Sequence, residues 1–433
     1  MPGMSLAKRV AAQTRPAIKV LRAIGSFGPA YRATALTGPV PRPQKLPRLS
    51  LAIAALIGTW CLTFELIRFV GLVRSDPSAT DFRLFYLAAQ AGQRWGWSHM
   101  YDPDKLQALS VAFGPAAGRI VPSYTYDNPP LLAFLIAPLT TMPLTAAFVL
   151  WTVINIAASV AAWWLASPGI GFARVTILLC TLALWPTVFS LERGQPVLVT
   201  YALAIGCWWM AARHREVEAG VLLALATVIK PQDVALLPVV LLIGGFPRAA
   251  AYWLAATAVL GALFAVVIGA SGIGTYLAVL EWAASDPGFT ATPLIQPFGP
   301  QASLVVGEGI VLAAAVVGMW RQRRSWNVIF AIGLLATLVC SIHIHEYDYV
   351  GVAFAAWLVL REPVSLAEKA WLAVGVLCAQ GPAISIRIPI VLWQPIWLVM
   401  LTFRGIFTAG GRRREDSPAL DAELHESRSV PGL

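Results

Sequence analysis

Charged side chains are scarce in this chain. Asp, Glu, Lys and Arg make up 12% of its 433 residues, whereas hydrophobic residues make up 58%. Soluble domains carry about 25% charged residues, so the composition excludes an ordinary soluble domain. The apolar residues form repeated runs of roughly 20, the length that a helix needs to cross a bilayer. We therefore predict an all-α polytopic membrane protein.

Cysteine is also rare, and the usual cofactor motifs are missing. The five cysteines lie singly within apolar runs, which indicates small core residues rather than disulfides or a zinc site. The sequence has no Walker loop, no GxGxxG at a strand–helix junction, no HExxH and no GxSxG. Nucleotide-driven transport, nicotinamide chemistry and serine hydrolysis therefore lack their usual parts, and we expect no cofactor.

Acidic residues are absent from residues 1–50, which contain nine Lys and Arg residues. A nucleic-acid-binding arm is one interpretation. A basic segment before a first span is more typical of a cytoplasmic tail that touches anionic lipid, so we expect no nucleic-acid partner. The next run, Leu51–Val73, predicts the first span; Leu144–Ala166 and Val175–Leu191 predict two of the later ones.

Basic clusters between the apolar runs orient the spans, because cytoplasmic loops are rich in Lys and Arg. This rule gives about 12 spans over residues 51–405, with both termini cytoplasmic. Residues 74–129 and 271–300 then become external loops, and the long first loop is expected to carry interfacial helices. Residues 131–141 are predicted to be re-entrant or partly inserted, and residues 406–433 to form a disordered cytoplasmic tail.

A few polar clusters interrupt the apolar runs. The topology predicted from the basic clusters places all of them on the external face. Ionisable residues at membrane level are costly and usually functional, so this shared face predicts a single site. The clusters are Asp81-Phe82, Tyr126-Asp127-Asn128-Pro129-Pro130, Glu192-Arg193-Gly194-Gln195, Lys230-Pro231-Gln232-Asp233 and residues His343 to Asp348.

Asp81 has two interpretations. It precedes an amphipathic stretch that begins at Phe82, so its side chain could cap a helix. Alternatively, Asp81 is a general base that takes the proton of a hydroxyl attacking the anomeric carbon of a sugar. Tyr126, Asp127 and Asn128 are candidates for binding substrate hydroxyls, although an Asn-Pro-Pro entry by itself is usually structural.

Arg193 and Lys230 each lie at a helix junction, beside Gln195 and Pro231. Cations at span ends often serve only to anchor a helix in the headgroup region. Two cations beside helix breaks, where amide donors are free, also suit the phosphate of a lipid-linked substrate. We therefore take Arg193, Lys230 and Gln195 as candidate substrate-binding residues.

The densest ionisable group consists of His343, His345, Glu346 and Asp348, with Tyr347 among them. Metal binding, sugar contacts with a proton relay to the base, and a structural cap are the three interpretations. Residues two apart on a helix point to nearly opposite faces, so we expect no metal ion. The two histidines are candidate catalytic residues, and Glu346, Tyr347 and Asp348 are candidate substrate-binding residues.

Taken in order, these motifs resemble those of glycosyltransferase family 87. The resemblance extends over about residues 50–405, and it rests on the order and the shared face of motifs that are individually short. The matching motifs are Asp81-Phe82, Tyr126 with Asn128-Pro129-Pro130, Gly194-Gln195, Lys230-Pro231 and Tyr347-Asp348.

The resemblance implies a GT-C-like bundle in a bacterial inner membrane. It also implies an inverting transfer of a sugar, usually mannose, from a polyprenyl-phosphate donor to a glycolipid or polysaccharide acceptor on the periplasmic face. Asp81 is then the expected base, and His343 and His345 are the two candidates for the family's histidine. The resemblance further implies that no nucleotide sugar takes part.

A transporter or flippase of lipid-linked sugars is the alternative function. It would require polar residues deep within the spans and access to both faces. The gathering of the polar clusters at one face favours the enzyme.

Overall fold

The computed structural model describes residues 48–75, 80–113, 126–285, 300–341, 344–386 and 388–404. This described part is helical and contains no strand. Its α-helices, in chain order, are α1 (Arg48–Ser75), α2 (Phe82–Trp95), α3 (Pro103–Ser110), α4 (Pro130–Ile136), α5 (Leu144–Ala166), α6 (Phe172–Leu182), α7 (Trp185–Arg193), α8 (Val197–Ala211), α9 (Glu216–Ile229), α10 (Leu237–Ile243), α11 (Pro247–Ser285), α12 (Pro300–Arg321), α13 (Trp326–Cys340), α14 (Val350–Val359), α15 (Leu366–Gln380) and α16 (Ile388–Thr402).

Three of these helices, α1, α5 and α11, are long and apolar enough to cross a membrane. A fourth span results if α6 and α7, which bend by 56° at a short break, are taken together. Several shorter apolar helices of 10–17 residues accompany them. The all-helical membrane class is therefore confirmed, while the number of about 12 spans stays a prediction.

The bend between α6 and α7 differs from the sequence prediction. One span is predicted over Val175–Leu191, but α6 ends at Leu182 and α7 begins at Trp185. Pro186 explains the break, because proline has no N–H to continue a preceding helix and fits best in the first turn of a new one.

The external loop predicted over residues 271–300 is wrong in its first half. Helix α11 continues to Ser285 through a break at Gly269, whose φ of 66° and ψ of 177° are not helical. Glycine tolerates this conformation because it has no Cβ. Residues 286–299 lie outside the described part of the chain.

The side chains pack into two hydrophobic cores. The larger core joins helices α8, α9, α13, α14 and α16 around buried residues such as Phe354 and Trp397. The smaller core joins α2, α4 and α5. Phe82, Phe85 and Leu87 of α2 are at most 2% exposed, so α2 is enclosed by protein rather than lying on a surface as expected.

Arginine and tryptophan meet at one end of the helices. The guanidinium carbon of Arg213 lies 3.5 Å from the Trp209 ring centroid, and that of Arg361 lies 5.3 Å from the Trp208 ring centroid. Arg361 also donates to the carbonyl oxygen of Ala166, at the C-terminus of α5, over 3.3 Å. Such contacts suit a membrane interface, where long cations and indoles combine apolar and polar surface.

The predicted site residues lie at the other end of the same helices. Helix α8 runs from the Gln195 end to the Arg213 end, and α14 runs from the Asp348 end to the Arg361 end. We call the contacts of Arg213 with Trp209 and of Arg361 with Trp208 the arginine–tryptophan belt. The polar clusters and this belt therefore occupy opposite ends of the bundle.

This arrangement predicts opposite accessibility for two exposed positions. In a membrane-impermeant maleimide assay on intact cells, Asp104→Cys on α3 is expected to label. Arg324→Cys, beside the belt, is expected to label only after permeabilisation. The five native cysteines lie within apolar segments and provide the background control. Labelling of Arg324→Cys in intact cells would contradict the predicted orientation, in which the end of the bundle with the polar clusters faces outward.

Candidate active site

The Asp81 side chain points into the protein instead of capping α2. It makes no capping hydrogen bond to the backbone of α2. Its Oδ2 atom accepts a hydrogen bond from the Nε2 amide of Gln195 over 2.8 Å. Asp81 is partly exposed and Gln195 is buried. The helix-cap interpretation is therefore not supported, and Asp81 is a carboxylate held by a buried amide.

The turn that presents Gln195 depends on Gly194. This residue ends α7 in the left-handed conformation, with φ of 69°. Its carbonyl oxygen accepts a hydrogen bond from the Trp151 indole N–H over 2.8 Å. The backbone N–H of Gln195 donates to the Ser190 carbonyl oxygen over 2.9 Å. An added Cβ at Gly194 would lie 2.6 Å from the Cβ of Phe82. The turn therefore packs directly against the start of α2, beside Asp81.

Lys230 forms a buried charge cluster with two aspartates. Its side chain is 3% exposed and its ammonium pairs with the Asp348 carboxylate. Asp233 lies farther away, with 3.9 Å between the nearest oxygen and the Lys230 Nζ atom. The second Asp348 oxygen accepts from the His345 backbone N–H over 2.7 Å. A buried cation needs such partners, so Lys230 fixes the turn that contains Asp348.

Asp233 belongs to the Lys230 cluster of the sequence but was not chosen as a candidate site residue. Both of its oxygens are buried without a hydrogen bond in the described structure. The sequence did carry a signal, because Asp233 follows Lys230 by three residues, a spacing that brings side chains together on one helical turn.

Aromatic rings connect Lys230 with Arg193. The Lys230 Nζ atom lies 4.4 Å from the Tyr347 ring centroid, and the Phe189 ring stacks on Tyr347 at 5.8 Å. The Arg193 guanidinium carbon lies 5.0 Å from the Phe189 centroid. His345 contacts the same Tyr347 ring at 5.0 Å. The two predicted cations therefore share one aromatic group.

The Tyr126–Asn128 entry is partly structural. Tyr126 is completely buried, and its hydroxyl donates to the Pro129 carbonyl oxygen and accepts from the Ala133 N–H. Asn128 donates from its side-chain amide to the Asp127 carboxylate over 3.0 Å. Tyr126 thus shapes the start of α4, whereas Asp127 remains partly exposed.

Asp127 is electrostatically linked to both sides of the site. Burial raises the pKa of its carboxyl group to about 6, although a backbone hydrogen bond and the charge of Lys230 lower that pKa. The charge of Asp81 raises it further. Because Asp81 and Lys230 both act on Asp127, the three residues belong to one electrostatic group.

Helix α11 adds Tyr276, which the sequence prediction had placed in a loop. The Tyr276 ring stacks on Tyr101 at 4.6 Å, and Tyr101 stacks on Tyr126 at 5.3 Å. The Tyr101 hydroxyl donates to the Asn128 carbonyl oxygen over 3.0 Å. An aromatic wall therefore stands beside Asp127.

Two predicted site residues remain, Glu346 and His343. Glu346 accepts from the Trp185 indole N–H over 2.9 Å, so it ties α7 to the turn with Tyr347. His343 lies outside the described residues. Among the described residues, no group of three or more His, Cys, Asp or Glu side chains is arranged to hold a metal ion.

The sequence model of glycosyltransferase family 87 matches residues 124–379, which is more than half of the chain. The chain belongs to glycosyltransferase family 87. No curated protein and no solved structure matches it significantly. The matched segment contains Gln195, Lys230 and Asp348, whereas Asp81 precedes it. The family therefore supports a glycosyltransferase, and the place of Asp81 rests on its contact with Gln195.

Gly194→Ala is expected to reduce glycosyl transfer strongly, because the new methyl group would collide with Phe82 and move Gln195. Gly171→Ala is the matched control, since Gly171 also has a positive φ, of 57°, but has no atom within 4 Å of an added Cβ. Ala at position 194 costs roughly 1–2 kcal/mol of left-handed strain. Ala at position 171 is strained as well, because its φ of 57° and ψ of −133° lie in a region that glycine enters far more readily than other residues, so backbone strain alone would not spare the control. Equal activity losses in the two variants would contradict the packing argument.

Asp127 is expected to cause the fall in activity on the acidic side of the pH–rate profile. With a pKa of about 6, its carboxylate form, the form expected to accept hydrogen bonds from substrate hydroxyls, is lost as the pH falls through that value. Transfer rates should therefore fall on acidification from pH 7 to pH 5, and Asp127→Asn should lack this fall. Rates measured across that range test the assignment; an unchanged fall in Asp127→Asn would refute it.

Proposed function

We propose that this family 87 member transfers a sugar, a hexose such as mannose, from a polyprenyl-phosphate donor. The acceptor is a lipid-linked or envelope glycan on the periplasmic face of the bacterial inner membrane. Both termini are then cytoplasmic, as the basic tail indicates. The observation that carries the proposal is the Asp81 carboxylate, which is held by Gln195 and is not used as a helix cap.

The proposed reaction is a single displacement. Asp81 takes the proton of the acceptor hydroxyl while that oxygen attacks the anomeric carbon. The bond from this carbon to the phosphate oxygen breaks on the opposite face, so the anomeric configuration inverts. Polyprenyl phosphate leaves, and the proton passes from Asp81 to water. A base in this role contributes roughly 10²–10⁴-fold to the rate.

The two cations are proposed to play different parts. Arg193 is partly exposed, and its guanidinium suits the phosphate that leaves. Lys230 is buried and paired with Asp348, so its charge is largely balanced within the protein. We assign Lys230 to holding Tyr347 and Asp348 in place, and Arg193 to the donor phosphate.

The test uses purified protein in sealed lipid vesicles with labelled synthetic polyprenyl-phosphate mannose and a membrane glycolipid extract. Asp81→Asn should lose at least about 100-fold in rate, consistent with loss of a general base. Asp104→Asn, an exposed acid of the same external segment, should retain wild-type activity. The anomeric configuration of the product should be opposite to that of the donor.

Full activity in Asp81→Asn would overturn the assignment of the base. Absence of transfer by the wild-type protein, together with movement of the labelled lipid across the membrane, would favour the transporter instead. These outcomes are separated by measuring product formation and lipid orientation in the same vesicles.

A further inference from the structure

Helix α1 is peripheral but carries a polar group that reaches the site. Much of its apolar surface is exposed, including Leu56, Trp60 and Ile67. It rests on α6 at Gly58, where an added Cβ would lie 3.3 Å from the Cys180 backbone nitrogen. Directly after Ile67, α1 carries Arg68, which contacts α7.

Arg68 makes three contacts. One guanidinium nitrogen lies 2.9 Å from the Glu65 carboxylate, and the other lies 3.0 Å from the Glu192 carboxylate. The guanidinium carbon lies 5.2 Å from the Trp185 ring centroid. Trp185, Phe189 and Glu192 follow the i, i+4, i+7 spacing of one helix face, so Arg68 spans two turns of α7.

Each α7 contact continues to a different part of the site. Glu192 immediately precedes Arg193-Gly194-Gln195, the turn from which Gln195 donates to Asp81. Trp185 donates to Glu346, which opens the turn of Tyr347 and Asp348. Arg68 therefore contacts both routes by which α7 positions the site.

A direct role for Arg68 in binding the donor phosphate is disfavoured by its neighbours. Glu65 and Glu192 both lie within 3.0 Å of its guanidinium nitrogens. Two carboxylates balance the single positive charge and repel an approaching phosphate. The contacts of Arg68 therefore indicate that it links α1 to α7 rather than binding the donor phosphate.

We propose that Arg68 is a positioning residue for the transfer reaction. By holding Glu192 and Trp185 on one face of α7, it fixes the Gln195–Asp81 contact and the Glu346 turn at the same time. This inference rests on the proposed function for its kinetic consequence, and on the contacts alone for its structural consequence.

The kinetic test compares Arg68→Gln with Arg74→Gln, a control in the last, exposed turn of the same helix. Arg68→Gln is expected to lower kcat roughly 10- to 100-fold, as for slightly misplaced catalytic groups, with KM for the polyprenyl-phosphate donor nearly unchanged. Glu192→Gln should reproduce this loss, and Arg68→Lys should recover part of it. Wild-type kcat in both Arg68→Gln and Glu192→Gln would overturn the proposal.

A double-variant cycle separates positioning from general destabilisation. If Arg68 acts through Gln195, adding Arg68→Gln to Gln195→Leu should lower kcat by no more than about 3-fold beyond Gln195→Leu alone, because the two share one contact. Losses that multiply would overturn the part of the proposal in which Arg68 acts through the Gln195–Asp81 contact.

Hydrogen exchange gives a readout that does not depend on catalysis. Arg68→Gln should speed amide exchange in residues 189–195 and 346–349, with little change in α8, and Arg74→Gln should change neither segment. Absence of transfer by the wild-type protein would refute the proposed function but leave this test intact. Unchanged exchange in Arg68→Gln would refute the positioning role, whatever the reaction.

Discussion

The hydrogen bond from Gln195 to Asp81 is the interaction on which the site depends. It joins the start of α2 to the break between α7 and α8, and its partners are 114 residues apart in the chain. A carboxylate enclosed by apolar helices is costly unless it is hydrogen-bonded. The buried amide meets that need while leaving the Asp81 side chain partly accessible. Leaving such a group without its donor costs about 1–3 kcal/mol.

Two rigid features keep this contact in place. The left-handed turn at Gly194 packs against Phe82, so the start of α2 and the end of α7 have little freedom to separate. On the other side, Lys230 and Asp348 fix the turn that carries Tyr347. Phe189 and Tyr347 stack between these two features. Arg193, Lys230, Phe189 and Tyr347 are therefore parts of one packed unit.

The sequence predicted the class of fold and the shared end of the polar clusters, since both follow from local patterns. The span predicted over Leu144–Ala166 has the same bounds in α5. Pro186 was a readable signal for the bend between α6 and α7, and the prediction overlooked it. Helix α11 extends into the loop predicted to begin at residue 271, because the helix is interrupted only at Gly269 and continues directly after it.

Side-chain partners could not be predicted in the same way. Nothing local indicates that Gln195 meets Asp81, or that Arg68 meets Glu192, because both contacts are set by how the helices pack. The family match begins at residue 124, so it covers neither Asp81 nor Arg68. Geometry alone connects these two residues with the segment that the family defines. The peripheral helix α1 and Asp81 are thus connected through their contacts with α7 and the turn that follows it.

The most direct measurement is an experimental structure of the protein with polyprenyl phosphate bound in a nanodisc. We expect the phosphate to lie beside Arg193, on the side of Asp81, Asp127 and Tyr347, and the lipid tail to leave through the side of the bundle. A phosphate bound at the end of the helices that carries Arg213 and Arg361 would contradict it.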